Sequence, residues 1–203
     1  MDVVFKSIYA RACMGAGLAV LSGLRAFIPV GFLALYSRLE FRSAPILAGT
    51  AFAFLLKTWV IVLLLVLAVA ELLLDKILLV SRTRDQIMQP IKIFLGGMVF
   101  AAAMAPDGWI AMTVCGLLGL VIAGLADHVR RSMRTSVVPR GKGETTPIVL
   151  ISIYEDVLVL ISTLLFVLLP LIGALVACFL GLLFYRLRRK RRRKHRGLRI
   201  LKG

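Results

Sequence analysis

The chain has 203 residues, 60% of them hydrophobic, with 26 Lys and Arg against 10 Asp and Glu, a formal charge of +16. Its mean hydropathy of +0.94 is too high for a soluble domain of this length and places it among integral membrane proteins. At roughly 20 residues per span there is room for five to seven transmembrane helices and no separate soluble catalytic domain.

Six apolar segments follow in chain order, about 12–37, 47–75, 91–105, 109–131, 148–168 and 171–186. They predict an all-α polytopic membrane protein of about six spans, a transmembrane domain over 1–187 followed by a polybasic tail over 188–203. Lys6 and Arg11 precede the first segment as in a signal peptide, but the apolar run is too long and no small-residue cleavage site follows it, so it reads as a retained span. Inside it lies GLRAFIP, with Arg25 near the midpoint and Pro29 four residues later. An arginine at bilayer depth is costly and is expected to turn toward protein or water. The proline, lacking an N–H, leaves the carbonyl of Arg25 without a helical partner.

The second segment carries Lys57 about ten residues in, where a long stem is expected to snorkel to the outer interface. Trp59, and Trp109 at the start of the fourth segment, stand where an interfacial aromatic belt is expected. The second segment ends ELLLDK, and Glu71 and Asp75, four apart, share a helical face.

The third and sixth segments begin at Pro90 and Pro170, contain glycines, and offer only about fifteen residues each. Fifteen residues rise about 23 Å, short of a hydrocarbon core of roughly 30 Å. Short, Gly- or Pro-interrupted segments at matching positions point to an inverted repeat of two three-helix halves, about 12–105 and 109–187, with a transporter-like site between them.

The fourth segment ends ADHVRR, placing Asp127 and Arg131 on one face with His128 beside them. Adjacent helical residues point about 100° apart, and no nucleophile stands at a useful spacing, so Asp127 and His128 do not make a catalytic dyad and no enzymatic activity is expected. The fifth opens SIYED, where Ser152 shares a face with Glu155 and Asp156. Cys13, Cys115 and Cys178 lie in apolar segments without metal-ligand spacing, and His195 is far from His128, so no zinc site and no cofactor are expected.

Eleven Lys or Arg and no acid occupy Arg186 to Lys202. Because this run starts where the last apolar segment stops, Arg188, Arg189, Lys190, Arg191, Arg192, Arg193 and Lys194 are expected to hold anionic lipid headgroups rather than nucleic acid. Basic residues also concentrate between Lys76 and Lys92 and between Arg130 and Lys142. That distribution predicts both termini on the cytoplasmic side.

Together GLRAF at 23–27, E-x-x-x-DK at 71–76, the proline-led glycine segment from Pro90, His128 followed by Arg134, and P-x-x-x-x-S-x-x-ED from Pro147 to Asp156 resemble the bacterial membrane family of domain of unknown function 4126. The resemblance covers roughly residues 15–170. It implies a small multi-span protein of the bacterial cytoplasmic (inner) membrane, with motif residues Gly23, Arg25, Glu71, Asp75, Lys76, His128, Ser152, Glu155 and Asp156. It implies no activity. The chain departs from the family pattern at ETTPIVLIS, where a glycine-asparagine-proline turn is usual, and in the basic connector SRTRDQIMQPIK.

Two functional readings remain open. In one, a surplus of buried acid against Arg25 makes a site for a cation or a proton-coupled solute on Arg25, Glu71, Asp75, His128, Ser152, Glu155 and Asp156. In the other, Arg25, Lys76 and Arg131 only neutralise the carboxylates and hold the helices in register, in a structural or lipid-interacting protein. Glycine-rich spans are compatible with a homodimer.

Overall fold

The computed structural model describes the backbone of residues 7–41, 44–77, 82–137 and 146–200, and the side chains of 7–41, 44–74, 87–132 and 153–186. Among these the protein is all-helical, without a strand. Its helices are α1 (Ile8–Leu24), α2 (Phe27–Arg38), α3 (Thr58–Ile77), α4 (Arg82–Met104), α5 (Trp109–Val137), α6 (Thr146–Leu168) and α7 (Pro170–Ile200). Short 3-10 turns at Ala53–Leu56 and Ala105–Asp107 precede α3 and α5.

The first apolar segment is not one helix. Ser7 caps α1, its hydroxyl accepting from the Ala10 amide at 3.3 Å. The helix ends where Arg25 turns extended, φ −131° and ψ 123°. Pro29 does not make this break. It sits in the first turn of α2, where its missing N–H has no helical acceptor to lose.

The two helices then run in opposite directions. Arg11, near the start of α1, forms an ion pair with Asp107 in the turn between α4 and α5. Gly17 packs on Gly173 near the start of α7, and Gly23 on Ala123 and Ala126 far along α5. So α1 descends beside α5 from the Asp107 end. At its foot the chain reverses. Ala26 and Phe27 meet Glu71 of α3, Gly31 faces Leu64 and Leu65, and Arg38 donates to the Leu56 carbonyl at 2.6 Å. Phe52 and Phe54, just before α3, share a groove with Ala101, Met112 and Gly116 near the Asp107 turn, which puts the start of α3 at that same end.

Residues 8–38 are therefore a helical hairpin entered from one end of the bundle, with Arg25 at its tip. This corrects the reading of 12–37 as a single traverse. Gly173 packs on Cys13 and Gly17 while Phe184 meets His128, so α7 starts beside the start of α1 and runs toward the hairpin tip. An extended residue at the tip and a carboxylate capping α2 make the reversal, and neither alters hydropathy.

Two further expectations change. The α4 helix continues upstream through Pro90, and α7 runs on to Ile200, so the segments read as short are parts of long helices. Among the described residues, four helices precede residue 105 and three follow it. Lys57 is not within a helix; it is exposed just before α3, with Trp59 and Trp109 exposed in the first turns of α3 and α5. Among the described residues, two helices are long and apolar enough to cross a membrane, Ile87–Asp107 and Trp109–Ser132.

Small residues let the hairpin reach the centre. A Cβ on Gly119 would lie 2.7 Å from the Gly96 carbonyl oxygen, and one on Gly17 would lie 2.5 Å from the Gly173 Cα. Backbones this close leave no room for side chains, and α1, α4, α5 and α7 pack through these contacts. The apolar core around them unites Met14, Leu18, Ile28, Leu33, Val99 and Phe166.

A charged cluster at the hairpin tip

The extended residue that ends α1 aims its guanidinium into the bundle, where Arg25 pairs with Asp156 of α6. The reversal also exposes the first amides of α2, which have no intrahelical acceptor. Glu71 of α3 supplies one: Oε1 accepts from the Ala26 amide at 3.0 Å and Oε2 from the Phe27 amide at 3.2 Å. A carboxylate at this position also meets the positive end of the helix dipole. Glu71 therefore does what a local Ser or Asp cap would do, from 45 residues away.

Two more pairs lie around this point. Arg130 donates from Nε to Oε2 of Glu155 at 3.0 Å, tying α5 to α6. Arg131 reaches Asp127, one turn back on α5, at 2.8 Å. Lys92 of α4 is buried within electrostatic reach of Arg25, Glu71, Asp127 and Arg130. It makes no hydrogen bond or ion pair among the described residues. Arg25, Glu71, Lys92, Asp127, Arg130 and Asp156 are each no more than 6% exposed. At that burial an isolated charge would be untenable, and the alternation of sign is what allows the group to exist.

Among the described side chains, which do not include Asp75 or Lys76, the charges balance. Glu71, Asp127, Glu155 and Asp156 are matched by Arg25, Lys92, Arg130 and Arg131. Lys92 and Arg130, at the ends of basic connectors in the sequence, are both drawn inside. A signal for each was present. Lys92 stands four residues before Gly96, on the close-packed glycine face, and Arg130 continues the buried series Ala123, Ala126, Asp127 at helical spacing.

Of the candidate residues, Arg25, Glu71, Glu155 and Asp156 come together. His128 does not join them: it is exposed on α5, its ring 5.7 Å from that of Phe184 in an edge contact with α7. Asp75, Lys76 and Ser152 lie on α3 and α6, with side chains outside the described residues. The same holds for Arg188 to Lys194, where α7 continues as helix.

The cluster can hold a carboxylate on backbone amides inside an apolar bundle. The family model for Domain of unknown function (DUF4126) matches residues 12–190. No curated protein and no solved structure matches the chain. With nearly the whole helical bundle inside that match, hairpin and charged cluster included, the chain belongs to the DUF4126 family.

Proposed function

We propose that this is a small multi-pass membrane transporter, without enzymatic activity, that moves a proton-coupled solute past the tip of the α1–α2 hairpin. In this reading α3 to α7 cross the bilayer and the hairpin is re-entrant. The basic connectors and the tail mark the cytoplasmic end, the end toward which the tip points. The observation that carries the reading is Glu71 holding the amides of Ala26 and Phe27. Broken helices whose termini meet at bilayer depth are a recurrent way to build a transport site. Irregular backbone there is tolerated where protein or water satisfies it.

Protonating Glu71 removes the charge that binds the start of α2 and changes the balance felt by Arg25, Lys92, Asp127 and Arg130 around it. Proton uptake and loosening of the hairpin tip are thereby one event. A bare cation is a poorer fit, because each acid in the described cluster already has a cationic or amide partner.

The test is flux in proteoliposomes across a panel of solutes, with and without an imposed pH gradient. Wild type is expected to move at least one solute faster under the gradient, and a Glu71→Gln, Glu155→Gln double variant to lose that response. Identical behaviour of the two proteins sinks the transport role.

The complete pairing of these acids also favours a second reading, in which the charges only lock the bundle and the protein acts at the lipid surface. Its basic tail would then carry the function. Full-length protein is expected to prefer phosphatidylglycerol vesicles over phosphatidylcholine vesicles, at about 1 kcal/mol per basic residue near the surface. Deleting residues 188–203 is expected to abolish the preference in a flotation assay; an unchanged preference removes the tail from this role.

A further inference from the structure

The seat that Glu71 occupies has the chemistry of an anion site. Two convergent amides at the start of a twelve-residue helix point at both oxygens of one carboxylate. Lys92 is buried within electrostatic reach of Glu71 and Asp127, without a hydrogen bond or ion pair among the described residues. Arg25 and Arg130 flank it, each paired to an acid of α6. With Glu71 ionised the described charges balance; with Glu71 neutral, one positive charge is left over at the tip.

We propose that the amides of Ala26 and Phe27, with Lys92, bind a monoanionic oxyanion group, carboxylate or phosphate, and that Glu71 is the resident group it displaces. This deepens the transport reading by naming the class of solute. The incoming oxyanion takes the two N–H donors, Glu71 leaves carrying one proton, and the cluster stays neutral. One proton therefore accompanies each monoanion. The site fits a two-oxygen face, because the carboxylate it now holds spans both amides.

Equilibrium binding separates this proposal from transport. Protein in phosphatidylcholine nanodiscs is titrated with inorganic phosphate and with gluconate as water-soluble oxyanions. In a parallel arm, nanodiscs are doped with phosphatidic acid or phosphatidylglycerol to offer the same group on a lipid. Binding is followed by isothermal titration calorimetry and by the shift in thermal unfolding.

Glu71→Gln keeps the shape of the side chain and removes its charge, so it is expected to bind the preferred oxyanion about tenfold more tightly than wild type. Lys92→Met is expected to lose that gain, and Lys92→Arg to restore part of it. A response in the soluble arm alone assigns a solute, and one in the lipid arm alone assigns a headgroup. Unchanged or weaker binding in Glu71→Gln overturns the proposal, as does the absence of binding to every probe by both proteins. If Glu71→Gln does not fold, the comparison of wild type with Lys92→Met decides: equal affinity overturns it. Proton-driven flux of another solute class in wild type, without oxyanion binding, sinks this proposal and leaves the transport reading intact.

Discussion

An Arg25→Met variant is expected to lose about 3–5 kcal/mol of stability, because it leaves the Asp156 carboxylate buried without its cation. The arginine is 1% exposed and its partner is nearly as deep, so solvent cannot replace the lost charge. An Arg25→Met, Asp156→Leu double variant is expected to recover much of that loss. It removes both desolvation penalties together, and apolar replacement of a buried pair is frequently neutral or better. Reversible unfolding in mild detergent, followed by helical circular dichroism, measures both. A double variant as unstable as the single one would mean that Arg25 acts mainly through contacts other than Asp156. Full recovery in the double variant would show that the pair is not needed for stability, and the flux assay on that variant reads out whether it is needed for transport.

Site-directed labelling is expected to give an all-or-none answer on the path of the chain. In a background with Cys13, Cys115 and Cys178 replaced by alanine, Tyr9→Cys and Ala48→Cys are expected to react with a membrane-impermeant maleimide from the same side. Arg196→Cys is expected to react only from the other. Tyr9 is exposed at the start of α1, and Ala48 is exposed in the connector between α2 and α3. A single traverse by residues 12–37 predicts the reverse, with Tyr9 and Arg196 labelled together and Ala48 apart. The two outcomes share no common pattern, so one experiment separates a re-entrant hairpin from a crossing helix.

The same positions show how far a reading of residues alone reaches. GLRAFIP announced a charge and a helix-breaking residue at depth, and both matter. Pro29 marks a carbonyl without a helical partner, yet the break falls at Arg25, where an extended conformation turns the guanidinium toward α6 and frees the amides that Glu71 caps. A cap contributed from 45 residues away carries no local signature, unlike a serine or aspartate beside the helix. Lys92 and Arg130 were legible as basic residues, and only their helical spacing from Gly96 and from Asp127 pointed inward. Their positions at the ends of apolar runs fit a snorkelling charge and an internal one equally well.

Composition, hydropathy and the placing of acids by themselves determined that the chain is helical and apolar, that its ionisable residues must find partners, and to which family it belongs. Those properties depend on what each residue is, and transfer free energies make them additive along the chain. Only the tertiary structure decided that residues 8–38 double back, that α4 and α7 are long, and that among the described side chains three buried acids and the partly buried Glu155 meet four basic residues. Direction of travel and choice of partner depend on which helices touch, and a hairpin and a traverse bury the same apolar side chains. Close approach at Gly17, Gly23 and Gly96, with the Glu71 cap on α2, selects one of them.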